Sequence, residues 1–242
     1  MQMNTKNNLA GLEKYSRQLL SSKDATHGLG RALRNLVREI ALFKNHTGAK
    51  HSHTQRRFPR VQIGGGTHYL RGFLNIDINN PADLIYDVRE GIPLPNSSVQ
   101  FLFCEHFLEH IDYPASVKKM IKEAHRILIH GGKIVIGVPD TALLIGAYAK
   151  KDDKKLKEYT KKWYGKRGIL KHFNTAIDVV NYHMRDMDDS EKYAHHFWGY
   201  DQEKLESLLK RAGFHHIQIW KFNSAIANPK RKFGSIYIEA KK

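Results

Sequence analysis

The stretch VQIGGGTHYLRGFLNIDI, residues 61–78, decides how the chain is expected to fold. One apolar run leads into three consecutive glycines, Gly64 to Gly66, and a second apolar run ends at Asp77. Glycine adopts positive φ angles without strain and lets the backbone approach a ligand closely. In doubly wound α/β sheets, a glycine-rich loop follows the first strand at the edge of the sheet where ligands bind. The stretch therefore predicts two strands with a ligand site at their carboxyl ends.

Further apolar runs, separated by turns or helical patterns, continue this plan to the C-terminus. Predicted strands cover residues 60–63, 72–77, 83–88, 99–106, 133–140, 214–220 and 233–240. Helices are predicted over residues 114–128 and 201–212, and Gly131 and Gly132 are expected to end the first. Strands that alternate with helices are typical of parallel α/β sheets, and no helix separates the last two strands. We expect an α/β fold with a Rossmann-like, doubly wound, mostly parallel sheet of about seven strands and one antiparallel strand near the C-terminus.

Residues 1–58 predict a basic N-terminal helical arm with a linker, outside a domain expected over residues 59–242. Helices are predicted over residues 8–20 and 28–44. The second helix carries an apolar stripe formed by Leu29, Leu33, Leu36, Val37 and Ile40. Such a stripe has to be covered, so we expect the arm to dock on its own domain or on a second copy of the chain, as a homo-oligomer. An anionic membrane surface is the alternative.

The formal net charge of +16 is concentrated in the flanks of the chain. Residues 1–58 hold 11 Lys/Arg and 3 Asp/Glu, residues 59–149 hold 8 and 9, and residues 150–242 hold 21 and 12. Basic flanks can meet nucleic acid, a lipid surface or an anionic substrate, or they can serve solubility alone.

Three features together predict a cytoplasmic protein. No apolar run approaches the roughly 18 residues that a membrane span requires. The N-terminus has no apolar segment typical of a secretory signal. The lone Cys104 cannot form a disulfide within the chain, which is typical of a reducing compartment.

Asp77 and Asp87, at the second and third predicted strands, indicate an adenosine-containing cofactor. A carboxylate at the end of the second strand can accept both hydroxyl protons of a ribose. Asp87 can reach an adenine amino group from the neighbouring strand. A dinucleotide would require G-x-G-x-x-G, but Tyr69 stands at the third glycine position and no pyrophosphate-binding helix fits before Asp77. S-adenosylmethionine has no pyrophosphate and fits this spacing better.

Three segments follow one another at the spacing of a known family: VQIGGGTHYLRGFLNIDI, ADLIYDVREGIPLPNSSVQFLFCEHFLEHI and EAHRILIHGGKIVIGVPD. Over residues 60–145 the chain resembles the class I S-adenosylmethionine-dependent methyltransferases. The resemblance is greatest to the type 11-like, small bacterial branch often encoded beside glycosyltransferases in surface-polysaccharide gene clusters. HHFWGYDQEKLESLLKRAGF and GSIYIEAKK resemble the C-terminal signature of that branch.

The resemblance implies a cofactor site along the carboxyl ends of the first four strands. The glycine loop would contact the methionine end of the cofactor, and Asp77 would bind the ribose. Glu105 and His106, at the end of the fourth strand, would face the sulfonium and the substrate. The implied cofactor residues are Gly64, Gly65, Gly66, Asp77, Ile78, Asp87, Val88, Glu105 and His106.

A hydroxyl acceptor benefits from a general base, and histidine suits that role near neutral pH. His106, His195 and His196 are the candidates, the first at a strand end and the others just before the last helix. His106 also begins HFLEH, which matches the H-x-x-E-H pattern of some zinc hydrolases. That pattern needs a continuous helix and a distant third ligand. We therefore expect no metal and interpret Glu109 and His110 as residues that hydrogen-bond the loop, with an accessory metal as the alternative.

Residues 141–200 are predicted to form an insertion that covers the substrate. Residues 150–171 hold ten Lys/Arg against three acids, with Trp163 and Tyr164 among them. These aromatic rings can stack on a sugar while the cations pair with an anionic acceptor, and Asp140 can orient the substrate. Basic residues interleaved with aromatics can also track a nucleic-acid strand. An amphipathic helix packed on the core is the third interpretation.

Three functions stay open at this point. The favoured one is methyl transfer from S-adenosylmethionine to a small-molecule or carbohydrate acceptor, at oxygen. The second is methylation of RNA or of a nucleotide, with the basic flanks as the binding surface. Against it, Cys104 to Phe107 occupy the place of the Asn/Asp-Pro-Pro-aromatic string of many N-methyltransferases. The third is a cofactor-binding module without catalysis, held in an assembly by the N-terminal helices.

Overall fold

The computed structural model describes residues 5–49, 58–165, 167–185 and 195–242. These residues form a seven-stranded sheet with the order β3-β2-β1-β4-β5-β7-β6. The strands are β1 Arg60–Ile63, β2 Leu74–Asp77, β3 Leu84–Ile85, β4 Val99–Glu105, β5 Leu128–Pro139, β6 His215–Ile219 and β7 Ser235–Lys241. The helices are α1 Thr5–Leu20, α2 His27–Ala49, α3 Ala115–Ile127, α4 Thr141–Ala149, α5 Asp153–Tyr164, α6 Ala176–Arg185 and α7 Gln202–Arg211.

The pairing of the strands confirms the predicted fold class. β1 pairs in parallel with β2 and β4, β2 with β3, and β4 with β5. β7 runs antiparallel to both β5 and β6. The order of strands changes direction between β1 and β4, so the carboxyl ends of these two strands border the crevice in which open α/β sheets bind ligands.

One face of the sheet is covered by α3 and α7. The apolar side chains of α3 recur at helical spacing and are buried in the main core: Val117, Met120, Ile121, Ala124 and Ile127. Burying a side chain of the size of Ile121 contributes roughly 1.5–3 kcal/mol. α7 begins at Asp201, whose carboxylate accepts a hydrogen bond from the N–H of Lys204 at 2.8 Å, as expected for an N-cap.

Loops, rather than helices, cover the other face. Leu70 and Phe73 of the β1–β2 connection pack with Ala227 over Phe103. Asn75 fixes this connection, because its amide donates to the carbonyls of Leu70 and Phe73 and its oxygen accepts from the N–H of Leu70. The first crossover thus contains turns but no helix, as its length predicted.

Two local predictions are wrong. β3 ends at Ile85 rather than at residue 88, because Asp87 caps a 3-10 turn over Val88–Glu90. The glycines at 131 and 132 do not end α3, since Leu128 is already extended. They lie inside β5, where its pairing with β4 is irregular and where Gly131 has a φ of +74°.

The N-terminal helices dock on the chain itself. α1 and α2 pack against each other, and α2 also contacts β3. Within the predicted apolar stripe, Leu33, Val37 and Ile40 are buried, whereas Leu29 is exposed. α2 continues through Ala49, where a linker was expected, and residues 50–57 lie outside the described residues. The boundary at residue 58 remains a prediction.

Helices α4, α5 and α6 form a small second core within residues 141–200. Its buried members are Leu144, Ala147, Leu156, Tyr159, Tyr164, Val179 and Tyr182. α5 therefore packs by its apolar face, and its lysines lie on the exposed face. In the described part of the chain, no helix reaches the length and hydropathy that crossing a bilayer would take.

Candidate active site

A cavity that is partly open to solvent lies at the carboxyl ends of β1, β2 and β4. α2 forms part of its wall through Arg38, Glu39 and Leu42. The wall also includes seven of the nine residues expected to bind the cofactor, which are Gly64, Gly66, Asp77, Ile78, Asp87, Val88 and His106. The cavity thus occupies the sheet edge that the sequence predicted.

The glycine loop owes its composition to two different constraints. Gly64 has a φ of +66°, and a Cβ atom there would lie 2.4 Å from the Phe107 ring. Gly66 has a φ of +56°, but a Cβ atom there would meet nothing within 4 Å. Gly64 is therefore required by backbone conformation and by packing, and Gly66 by backbone conformation beside open space.

Asp77 is held at the end of β2 by two backbone amides. One carboxylate oxygen accepts from the N–H of Gly66 at 2.8 Å, and the other accepts from the N–H of Asn79 at 2.9 Å. The second bond is an Asx turn, a local arrangement that aspartate favours where a strand ends. Because a carboxylate oxygen can accept more than one hydrogen bond, Asp77 retains acceptor capacity for a diol.

Asp87 is engaged by a cation from its own turn. Arg89 donates from Nε and Nη2 to the Asp87 carboxylate at 2.6–3.0 Å. The same guanidinium also donates to Glu39 of α2 at 2.8 Å. The chain Asp87–Arg89–Glu39 therefore ties α2 to the end of β3, beside the cavity.

His106 lies at the carboxyl end of β4 in a constrained position. Its φ is +53°, uncommon outside glycine, and such strained residues cluster at functional sites. Its Nε2 lies 2.8 Å from the Ser235 hydroxyl, its Nδ1 lies 3.6 Å from a Glu109 oxygen, and its ring stacks on Trp163. Burial and then the charge of Arg231 lower the pKa of His106 well below its ordinary value. The imidazole is therefore neutral near pH 7.

Comparisons with known proteins agree with this geometry. Residues 28–136 match a family model described as a methyltransferase domain. An uncharacterised protein of Methanocaldococcus jannaschii is 30% identical over 121 residues, which are 43% of this chain and 58% of that protein. The chain therefore matches less than two thirds of that relative.

Two solved structures are similar in fold. A methyltransferase of Thermotoga maritima, described as a possible histamine N-methyltransferase, is 18% identical with a TM-score of 0.43, over 86% of this chain and 92% of that chain. A methyltransferase of Methanosarcina mazei is 17% identical with a TM-score of 0.47, over 79% and 95%. Both are described as dependent on S-adenosylmethionine.

Residues 28–136 of the chain are thus similar to a methyltransferase domain. This match agrees with the enzyme class and with the cofactor, S-adenosylmethionine, that are expected from the sequence. The cavity suits this cofactor, because the space beside Gly66 is open and Asp77 stands at the end of β2 with Ile78 next to it.

Two of the residues expected to hold the cofactor do not line the cavity. Gly65 faces the Gln62 side chain, and its carbonyl accepts from the N–H of His68. Glu105 is the last residue of β4, and its buried side chain does not line the cavity. Its carboxylate accepts from the Tyr237 hydroxyl at 2.6 Å and from Arg231 at 3.2 Å. The expectation that Glu105 faces the sulfonium is not met.

Glu105 instead holds Arg231, a cavity residue that sequence reasoning missed. Nη1 of Arg231 donates to the carbonyl of Glu105 at 3.0 Å as well as to its carboxylate. Burial and then the charge of Glu105 raise the pKa of Tyr237, which stays protonated and donates. The other missed residues of the wall include Arg38, Glu39, Leu42, Tyr86, Phe107 and Phe197. Arg38, Glu39 and Leu42 lie outside the segments that carry the resemblance, whereas Tyr86, Phe107 and Phe197 lie within them but were assigned no role.

The remaining candidates from the sequence divide into two groups. Asp140 caps α4 by accepting from the N–H of Leu143, Tyr164 is buried in the second core, and His195 is exposed, so none of these lines the cavity. Trp163 approaches the site by stacking on His106, with the ring centroids 5.2 Å apart. His196 lies with its ring centroid 4.7 Å from that of His110, which belongs to the cavity wall.

Proposed function

We propose that this chain transfers the methyl group of S-adenosylmethionine to a hydroxyl group of a small-molecule or carbohydrate acceptor, with His106 as the general base. The observation that carries the proposal is that one cavity joins the Gly64–Asp77 loop to His106 at the carboxyl end of β4. The cofactor, when bound, supplies a methyl group that an acceptor oxygen takes in an in-line displacement. The chain has to hold the acceptor in line and remove its proton.

The position of His106 suits proton removal. A neutral imidazole can take up the hydroxyl proton, whereas an imidazolium cannot. Ser235 and Glu109 lie beside its two ring nitrogens and restrict rotation of the ring. His195 is a weaker candidate, because it is exposed and does not line the cavity.

The lining of the cavity suits a polar acceptor that carries a ring. Arg38, Arg89 and Arg231 contribute guanidinium groups to the wall, and Glu39, Asp77 and Asp87 contribute carboxylates, so both donors and acceptors face the cavity. Phe107 and Phe197 add aromatic faces against which a sugar or another ring can pack. A carbohydrate acceptor also agrees with the branch that the sequence resembles most.

The test is methyl transfer from labelled S-adenosylmethionine to a panel of sugars, sugar phosphates and phenols. Replacing the base in His106→Asn should lower kcat by about 10²–10⁴-fold, because general bases contribute that much. Asparagine tolerates the positive φ at this position, so the fold should survive. His195→Asn is the matched control and should keep its turnover. Equal turnover of the His106→Asn variant and the unmodified protein on a genuine acceptor would contradict the assignment.

Methylation of RNA or of a nucleotide is the second candidate. The observation in its favour is that the lysines of α5 lie on the exposed face of that helix. Such a row of cations can follow a phosphate backbone. It ranks second, because those lysines lie on α5, which does not contribute to the cavity wall.

A further inference from the structure

Three side chains beside the cavity have the spacing of a metal-ligand set. Glu109, His110 and His196 each offer one ligand atom, and these atoms all lie within 4.8 Å of one another. Within residues 5–49, 58–165, 167–185 and 195–242, no other group of His, Cys, Asp and Glu meets this spacing. Two imidazoles and one carboxylate are a donor set that suits Zn²⁺ and related transition-metal cations and leaves coordination positions open.

The structure holds these ligands in place from two segments of the chain. The 3-10 turn Leu108–His110 carries two of them. The N–H of Phe197 donates to the carbonyl of Glu109 at 2.7 Å, so the segment that contains His196 is fastened to this turn.

The hydrogen bond that His196 makes to the backbone is one that metal-bound histidines commonly make. Its Nδ1 lies 2.6 Å from the carbonyl of His183, and because a carbonyl only accepts, Nδ1 carries the hydrogen. The lone pair of the neutral ring is then on Nε2. Metal-bound histidines commonly donate their other ring nitrogen to a carbonyl in this way, which fixes ring and tautomer. The side chain of His183 is itself fixed by the Tyr159 hydroxyl at 2.7 Å and by Thr141 at 3.1 Å.

Glu109 brings negative charge to a position that is almost closed to solvent. Only 1% of the residue is exposed. Buried carboxylates are stabilised by ion pairing, hydrogen bonds or a metal ion.

We propose that Glu109, His110 and His196 bind one divalent transition-metal cation, with Zn²⁺ as the reference ion, beside the cofactor cavity. His110 and Phe197 belong to the cavity wall, so an open position of the ion is within reach of a molecule in that cavity. A bound hydroxyl group loses its proton more readily, because a divalent cation lowers its pKa. That role for the ion rests on the proposed function, whereas the metal site itself does not.

The direct test is titration of chelator-treated, tag-free protein with Zn²⁺ in a calorimeter. We expect the unmodified chain to bind one equivalent of Zn²⁺ tightly. His196→Ala and His110→Ala should weaken that equivalent at least ~100-fold, beyond the 10–100-fold that loss of an outer-shell partner costs. His195→Ala, the neighbouring exposed histidine, should retain it. The chain has 15 histidines, so weak further binding is expected in all variants and is removed by a competing chelator.

Two further measurements keep the result decisive. Circular dichroism shows whether each variant is folded, and the visible absorption of the Co²⁺-loaded unmodified chain reports its ligands without any substitution. The metal site would be overturned if the unmodified chain bound no equivalent of Zn²⁺ tightly. It would also be overturned if His195→Ala and His196→Ala weakened Zn²⁺ binding equally. Methyl transfer that persists without metal, together with no tight Zn²⁺ binding, would overturn it and leave the proposed function standing. Tight Zn²⁺ binding lost in His196→Ala, without transfer to any acceptor, would support the site and count against the proposed function.

Discussion

At the scale of single residues, the site depends on backbone conformations that few side chains tolerate. Gly64, Gly66 and His106 all have positive φ, and all three line the cavity. The cavity is therefore shaped by the chain path as much as by side chains. Asp77 adds the carboxylate that ties Gly66 to β2.

Loss of the Asp77 carboxylate should weaken cofactor binding. In Asp77→Ala we expect the binding free energy of S-adenosylhomocysteine to fall by roughly 1.5–3 kcal/mol, the usual cost of losing hydrogen bonds to a charged group. Asp140→Ala is the matched control, since Asp140 also follows a strand but caps α4 outside the cavity. It should lose about 0.5–2 kcal/mol of unfolding free energy and keep its affinity. An unchanged dissociation constant in folded Asp77→Ala would refute the ribose assignment.

The two constraints on the glycine loop can be separated by alanine substitution. Gly66→Ala should lose about 1–2 kcal/mol of unfolding free energy, from the left-handed backbone alone. Gly64→Ala should lose more, because its Cβ also meets the Phe107 ring. Combining Phe107→Leu with Gly64→Ala should recover part of the unfolding free energy that Gly64→Ala loses, because the smaller side chain makes room for the Cβ. Denaturant titrations measure all four proteins, and equal losses for the two glycines would show that the ring contact is unimportant.

At the scale of secondary-structure elements, α2 belongs to the site. It contacts β3, supplies three residues to the cavity wall, and is joined through Glu39 to Arg89 at 2.8 Å. α1 contacts α2, where Lys44 pairs with Glu13 at 2.6 Å, but contributes no residue to the cavity wall. The sequence predicts α1 and α2 as one arm, but only α2 contributes residues to the cavity wall.

Stepwise truncation should reveal this difference. Removing residues 1–24 deletes α1, and we expect the affinity for S-adenosylhomocysteine to stay within about twofold. Removing residues 1–49 also deletes Arg38, Glu39 and Leu42 from the wall, and we expect a loss of at least about tenfold, or ~1.4 kcal/mol. Circular dichroism checks that both shortened chains fold, and size-exclusion chromatography reports any change in oligomeric state. If the two shortened chains bound S-adenosylhomocysteine with equal affinity, α2 would not be needed for the site.

At the scale of the whole molecule, the sequence predicts what depends on local patterns. The strands, the glycine loop and Asp77 follow from runs of neighbouring residues. The sequence predicts that Glu105 and His106 both face the cofactor, but β4 ends at Glu105 and the chain turns at His106, where φ is +53°, so only His106 lines the cavity. Trp163 and Tyr164 likewise point about 100° apart on a helix of 3.6 residues per turn. Arg231 and the position of His196 depend on contacts between distant segments, for which one sequence contains no signal.

The charge of the whole chain predicts how it responds to nucleic acid. With a net charge of +16, generic RNA should bind at low salt, and the logarithm of its binding constant should fall linearly with the logarithm of the salt concentration. We expect no gel shift at physiological salt, because the exposed lysines of α5 lie outside the cavity wall. A shift at physiological salt that disappears on removing residues 1–58 would favour the RNA methyltransferase instead.

Calorimetric titration with S-adenosylmethionine and S-adenosylhomocysteine tests the central claim, that the cavity beside Gly64 and Asp77 is an S-adenosylmethionine site. We expect one equivalent of each to bind with a dissociation constant of roughly 10⁻⁶ to 10⁻⁴ M, or about −8 to −5.5 kcal/mol. A nicotinamide dinucleotide should give no binding heat, because the β1–β2 connection contains no helix for a pyrophosphate. Clear binding of the dinucleotide, with none of either sulfur compound, would contradict the claim.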